Sequence, residues 1–387
     1  MDFSLSDEHM MLVDTVRSFV RRELMPFEDE VERTGEVPPE LATRIRDRAI
    51  AAGLYAANLP SDVGGGGLDF LGLALLEREL GATSWALQTN VGRPSRILMA
   101  CEGEQRERYL LPAARGEVTE CFALTEPDSG SDAPRGIRTR AERDGADWVL
   151  NGRKHFISNA DVADVAIVFA VTGEDEVERG LRKRITAFLL DKGTPGFEVS
   201  IGARAVGHHG YRHCELTFVD CRVSDSKVLG TEGRGIELAN RWLHDGRVMV
   251  AANCVGRARR VVDLAAAWAA DRKQFGKPIG SFQGVSFKLA DMRTELEAAE
   301  LLTLRTAWKL DLGEATDADC SMAKLYASEM LGRLTDNAVQ VFGGMGVVES
   351  APIERFWRDA RIDRIWDGTS EIHRLVIARS MLRDRGA

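Results

Sequence analysis

Apolar residues recur at close to helical spacing through the first third of the chain. Met11, Val13, Val16, Phe19 and Val20 form one such stripe, and Ser6 ahead of Asp7 and Glu8 is a plausible start for it. Pro38 and Pro39 open a second run, Leu41 to Ala52, which Gly53 closes. Gly64 to Gly67 cannot be helix interior without a large entropic penalty, so they predict a flexible or tightly turned connection before another helix at Phe70 to Leu80. The helical pattern lasts to about Arg115.

The period changes near residue 119. Cys121 to Leu124, Trp148 to Leu150, Val165 to Ala170, Ile185 to Leu190, Phe197 to Ile201 and Cys214 to Val219 are short segments rich in Val, Ile and Phe, separated by Asp-Gly, Asn-Gly and Pro-Gly. They predict an antiparallel β domain, with the charge-dense run Gly173 to Arg184 as its solvent-facing loop. From about Gly233 helical signatures return at Ala251 to Ala270, Phe282 to Leu310 and Ala318 to Phe342, and together predict a bundle. The class is α+β in three parts: helical over 1–118, β over 119–232, helical over 233–387. No GxGxxG follows a strand, so a nucleotide-binding βαβ sheet is not expected.

Composition narrows the partners. With 51 basic and 60 acidic residues the formal charge is -9, which disfavours nucleic acid as the main partner but leaves room for an anionic ligand held by local arginines. The six cysteines are widely spaced with no CxxC pair, as expected of single buried thiols in a reducing compartment. No apolar run reaches membrane-spanning length, and Asp2, Asp7 and Glu8 stand where a secretory signal needs basic and then apolar residues. The expectation is a cytoplasmic protein with no stable membrane insertion.

Five short motifs occur in a fixed order. They are Phe122-Ala123-Leu124-Thr125-Glu126-Pro127-Asp128-Ser129-Gly130-Ser131-Asp132, Asn151 to Ala160 (NGRKHFISNA), Asp271 to Ile279 (DRKQFGKPI), Gln340 to Gly346 (QVFGGMG) and Trp366-Asp367-Gly368-Thr369. In this order, over nearly the whole chain, they resemble the acyl-CoA dehydrogenase family of flavoproteins. The resemblance implies an N-terminal helical domain, a middle β domain and a C-terminal four-helix bundle. It also implies one FAD per subunit, an acyl-CoA substrate, an electron-transfer flavoprotein as acceptor, and assembly as a homotetramer in which a neighbour completes the adenosine end of the site.

By that resemblance the flavin is met by Phe122, Leu124, Thr125, Phe156 and Ser158 from the β domain. Donors aimed at a ring that gains electron density favour its reduced form. Read without the resemblance, Thr125 is a turn hydroxyl and Phe156 a core residue. Arg272, Gln274 and Phe275 correspond to residues reaching a neighbour's FAD, where a guanidinium can give parallel hydrogen bonds to phosphate; read alone, this is a basic helix end. Gln340, Gly343, Gly344 and Gly346 correspond to the complementary surface, where glycines let backbone N–H groups approach a charged ligand. Thr369 and Glu371 match further cofactor contacts, and Ser131, Arg247 and Gly368 are assigned to the substrate.

Asp367 occupies the family's usual base position, commonly glutamate. A thioester α-proton is weakly acidic, so the base must act while the carbonyl oxygen receives hydrogen bonds; the resemblance implies that these come from the flavin ribityl 2'-hydroxyl and the backbone N–H of Asp367. Burial beside Trp366 is expected to raise its pKa. Aspartate is one methylene shorter, a loss of about 1.5 Å of reach. The alternative base position on the first helix of the bundle is Gly246, and neighbouring Asp245 reads as a salt-bridge carboxylate near Arg241 or Arg247. A second departure, Gly207 to Cys214 (GHHGYRHC), holds three histidines where relatives carry an arginine and small hydroxyl residues. It reads as surface or acyl-CoA contact, with no metal site. His244 stands where relatives often have an acidic residue. Arg93 has two readings, a surface arginine at a helix end or a group reading a polar or carboxylated acyl chain. The expected activity is α,β-dehydrogenation of an acyl-CoA to a 2-enoyl-CoA. The alternatives are an unusual cyclic or polar acyl group, or a flavin-binding protein without chemistry.

Overall fold

A computed structural model describes residues 4–177, 180–349 and 351–383. The first region holds α1 (Asp7–Phe19), α2 (Glu28–Thr34), α3 (Pro39–Ala51), α4 (Phe70–Leu80) and the short helices α5 (Trp85–Gln88) and α6 (Leu111–Ala114). Ser6 caps α1, its hydroxyl accepting the His9 N–H at 3.2 Å. The glycine run is a tight turn: a Cβ on Gly65 would lie 2.2 Å from the Leu59 carbonyl oxygen.

Next come β1 (Glu120–Ala123), the one-turn helix α7 (Ala133–Gly136), β2 (Arg140–Asp144), β3 (Asp147–Ser158), β4 (Val165–Val177), β5 (Gly180–Asp191), β6 (Phe197–Ile201), β7 (His213–Ser224) and β8 (Val228–Leu229). The sheet runs β6-β7-β3-β2-β4-β5-β8, with β1 added on β4. Most pairs are antiparallel, but β1 lies parallel to β4, and one link between β2 and β4 is also parallel. The long excursion between β1 and β4 permits this, since parallel neighbours need a crossover. Residues 173–177 and 180–184 are not loop: they continue β4 and β5, with Glu174 opposite Lys183 and Asp175 opposite Arg182, while 178–179 of the expected loop lie outside the described residues. Opposite charges paired across the strands explain a charge-dense segment inside a sheet.

The last region contains α8 (Gly235–Asp271), a small hairpin of β9 (Lys273–Gln274) and β10 (Lys277–Pro278), α9 (Gln283–Asp311), α10 (Asp317–Phe342), α11 (Pro352–Asp363) and α12 (Ser370–Arg383). α8 packs on both α9 and α10, α12 lies on α10, and α4 lies against α8. A Cβ on Gly256 of α8 would sit 1.9 Å from the Arg78 carbonyl oxygen of α4, so only glycine allows this approach. The close contact brings buried Glu77 of α4 against Asn253 of α8. No helix among the described residues is long and apolar enough to cross a membrane.

Candidate active site

The Trp366 to Thr369 segment is the link between α11 and α12. Asp367 and Gly368 both have positive φ, 49° and 102°, which reverses the chain within two residues. Aspartate tolerates this region better than most side chains do. The turn is clamped to α10 on either side of the bend. Lys324, completely buried, donates to the Gly368 carbonyl at 2.8 Å, and the Ser370 hydroxyl donates to Glu329 at 2.6 Å. Thr369 closes the turn as its hydroxyl accepts the Ile372 N–H at 3.3 Å.

Asp367 keeps some contact with solvent but is crowded by protein on the remaining sides. Burial raises its pKa above the usual carboxylate range, opposed by Lys324, Arg247 and Arg93. Burial also lowers the pKa of Lys324, with Asp367 as the main opposing influence. His373 is fully buried beside Gly368 and is pushed down to about 3 by burial, with Lys324 and Arg247 adding to the effect. It is a neutral spacer at working pH.

Behind the turn, Trp366 packs on Trp85 at a ring separation of 4.6 Å and on His208 at 4.8 Å. His208 is buried, and its backbone N–H donates to Asp359 at 2.6 Å. Burial, followed by the neighbouring Arg257, holds its imidazole neutral. Surface or acyl-CoA contact is therefore the wrong reading for His208. Tyr211, two positions past His209, sits within the electrostatic reach of Asp367 and in hydrogen-bonding contact with Ser158. His209 instead bridges Glu32 and Arg358, at 2.8 and 3.2 Å. No group of three or more His, Cys, Asp or Glu side chains capable of holding a metal occurs among the described residues.

The predicted flavin face forms where β1 and β3 end. The Leu124 carbonyl accepts from Lys154 Nζ at 3.1 Å, and the Thr125 carbonyl accepts the His155 N–H at 2.9 Å. Lys154 is wholly buried and pairs with Glu126 at 2.8 Å; burial lowers its pKa to about 8 despite that carboxylate. Glu126 also accepts the N–H groups of Arg138 and Thr139. Breaking such a pair leaves an uncompensated buried charge, at about 3–5 kcal/mol. Lys154→Met is therefore expected to lower the urea midpoint by that order and to weaken flavin retention, both readable in one denaturation series followed by flavin and tryptophan fluorescence. Phe122 packs on Phe169 and Trp242. Phe156, at φ 56°, is 57% exposed and so is not a core residue. Ser131 is exposed in the loop after Glu126, and Arg247 reaches toward Asp317 at 3.9 Å.

Arg272, Gln274 and Phe275 lie on or beside the β9–β10 hairpin, all exposed, with Phe275 at 92%. Among the described residues the Arg272 side chain makes no ion pair. Gln340 is also exposed, and a Cβ on Gly343 or Gly344 would meet nothing within 4 Å. An unpaired guanidinium, an uncovered aromatic ring and open glycines suit the pyrophosphate and adenosine of a dinucleotide. Arg247 and Arg272 are 25 residues apart on one helix, about 37 Å along its axis. The hairpin residues of one chain thus lie far along α8 from the Arg247 end, where Asp367 sits. Glu371 is exposed and nearest Arg374, at 3.7 Å.

Asp245 pairs with Arg96 at 3.0 Å, not chiefly with Arg241 or Arg247. His244 contacts Asp317 at 2.8 Å. Arg93 is not a surface residue at a helix end, because its guanidinium meets fully buried Glu77 at 2.6 Å. Sequence reasoning missed Lys324, Tyr211, Trp85 and Glu77. Only the lysine carried a local sign, as a cation in an otherwise small and apolar stripe of α10.

Comparison with known proteins agrees with this architecture. The family models for the acyl-CoA dehydrogenase N-terminal, middle and C-terminal domains match residues 6–117, 121–221 and 233–382. The human mitochondrial short-chain specific acyl-CoA dehydrogenase is 38% identical over 98% of this chain and 91% of its own. A 3-(aryl)acrylate reductase of Clostridium sporogenes is 36% identical over 98% and 99%. The solved butyryl-CoA dehydrogenase of Megasphaera elsdenii superposes with a TM-score of 0.89 at 35% identity, over 99% of this chain and 100% of that one. The chain belongs to the acyl-CoA dehydrogenase family.

Proposed function

We propose that the chain dehydrogenates a saturated acyl-CoA to its 2-enoyl-CoA with Asp367 as the base. The family's activity is FAD-dependent dehydrogenation of acyl-CoA, and FAD when bound supplies the acceptor for the β-hydride. The observation that carries the assignment is the clamped turn: Asp367 projects from two consecutive positive-φ residues fixed to α10 by Lys324 and Ser370. A base held this way needs little reorganisation when the thioester arrives.

Asp367 removes the α-proton while its own backbone N–H faces the thioester carbonyl. Trp85 and Trp366 close the space behind it, which limits water around the carboxylate. Ser158 and Tyr211 present hydroxyls on the β-domain side. Because burial raises the pKa of Asp367, kcat/KM should fall as pH drops through that raised value, where the carboxylate takes up a proton.

FAD contacts fall to Phe122, Leu124, Thr125, Phe156, Ser158, Thr369 and Glu371 from one side. Arg272, Gln274, Phe275, Gln340, Gly343 and Gly344 serve the adenosine and pyrophosphate end, supplied across a subunit boundary in a homotetramer. The distance along α8 supports that division. Arg272→Ala should weaken FAD binding by about 10- to 100-fold, the worth of a charge-assisted hydrogen bond, with the fold unchanged by circular dichroism. Electron-transfer flavoprotein is the proposed acceptor. Six buried free cysteines fit a reducing, cytoplasmic setting.

Anaerobic titration of the yellow holoenzyme with straight, branched, cyclic and dicarboxylic acyl-CoAs tests the activity. Flavin bleaching together with a 2-enoyl-CoA product is expected for at least one class. Flavin that stays oxidised with every class rejects the proposal.

A further inference from the structure

An ion pair, Arg93 with Glu77, lies within electrostatic reach of the Asp367 turn. Arg93 follows Gly92, whose φ is 89° and whose Cα packs so tightly on the Tyr55 ring that a Cβ would fall 2.0 Å from it. The backbone is tied on both sides: Ala56 N–H donates to the Gly92 carbonyl at 3.1 Å, and the Asn58 amide donates to the Pro94 carbonyl at 2.7 Å. Arg93 is thus aimed by a rigid turn.

Its guanidinium meets Glu77 at 2.6 Å, with the arginine side chain 26% exposed and the glutamate 1% exposed. The carboxylate is sealed in the protein and the cation faces the open side. Arg93 also lies 6.0 Å from the Trp85 ring and acts electrostatically on both Asp367 and Tyr211. Among the described residues, no acceptor other than Glu77 meets the Arg93 guanidinium. Gln88 Nε2, a neighbouring donor, is buried without a partner. Gln88 joins the same network, since Asn253 donates to its carbonyl oxygen and accepts from Arg257 at 2.9 Å. An unbranched alkyl chain would offer the partly exposed Arg93 guanidinium no acceptor.

The geometry points to a substrate whose acyl chain ends in a carboxylate, read by Arg93 as the specificity-determining residue. This rests on the acyl-CoA dehydrogenase reading above. A carboxylate suits the guanidinium because it can accept two parallel N–H bonds. Glu77 would then stabilise and orient the arginine rather than contact substrate. Burial also raises the Glu77 pKa, so it can take up a proton when a second carboxylate arrives.

The test compares glutaryl-CoA, ω-hydroxyvaleryl-CoA and valeryl-CoA, which share one chain length, by anaerobic flavin reduction in the wild-type holoenzyme, Arg93→Lys, and the charge-balanced double variant Arg93→Met with Glu77→Gln. The wild type should prefer glutaryl-CoA over valeryl-CoA by tenfold or more in kcat/KM. The double variant should lower that ratio by about 10- to 100-fold, and Arg93→Lys should retain an intermediate ratio. A wild type that favours valeryl-CoA, or a ratio unmoved in the double variant, overturns the inference. Preference for the hydroxy compound over glutaryl-CoA overturns the carboxylate assignment. Reduction by valeryl-CoA alone leaves Asp367 chemistry standing while removing this inference; no reduction by any of the three also overturns it, and the wider acyl-CoA series then decides the dehydrogenase reading.

Discussion

Asp367→Asn is expected to retain FAD yet lose rapid flavin reduction by acyl-CoA, on the order of 10³-fold, the worth of a positioned general base. The amide matches the carboxylate in size, so the positive-φ turn and its hydrogen bonds to α10 should survive. Stopped-flow reduction under anaerobic conditions, with the FAD content measured alongside, separates lost chemistry from lost cofactor. An unchanged rate would remove Asp367 from the mechanism. Asp367→Glu carries complementary information. It restores about 1.5 Å of reach, so a faster rate would mean the native base is held short of its best position. A slower rate would mean that the site is built around the shorter side chain.

The second large effect concerns Lys324. Its ammonium is the foremost group opposing burial at Asp367, and its hydrogen bond holds the Gly368 carbonyl. Lys324→Met keeps the bulk and removes the charge. The sign follows directly: without the cation the Asp367 carboxylate is less stable, its pKa rises further, and the acid limb of kcat/KM moves to higher pH. A move of about one unit costs tenfold in rate on that limb. The variant also loses the Gly368 tether, so a pH-independent drop in activity is expected beneath the shifted limb. A purely structural lysine would instead lower activity evenly at all pH values, so the full profile discriminates between the two roles.

Much of the architecture was legible because it rests on periodicity. The Phe70 to Leu80 stripe became α4, and the switch to short β-rich segments at residue 119 located the sheet. The failure at Gly173 to Arg184 has a clear cause: charge density marks exposure, and an exposed hairpin is as charged as a loop when opposite signs face each other across strands. Parallel pairing of β1 with β4 was likewise invisible, because register is set by tertiary contact.

At the site, Asp367, Thr125 and Ser158 could be proposed from the sequence because each sits in a short contiguous motif. Lys324, Tyr211 and Glu77 were not, since the first two approach Asp367 from α10 and the segment before β7, and Glu77 meets Arg93 from α4, all far apart in sequence. His208 misled for a related reason. A cluster of histidines looks polar in one dimension, yet burial against Trp85 and Trp366 makes this one a neutral aromatic plate. Arg93 showed its two possibilities in the sequence, and only its contact with a sealed carboxylate distinguished them.

Proton abstraction can be isolated from oxidation by giving the holoenzyme an acyl-CoA in which sulfur replaces the β-carbon, so that no hydride can leave, and following deuterium entry at the α-carbon in heavy water. Asp367 as the base predicts ready exchange in the wild type and almost none in Asp367→Asn. Exchange at the wild-type rate in that variant would contradict it.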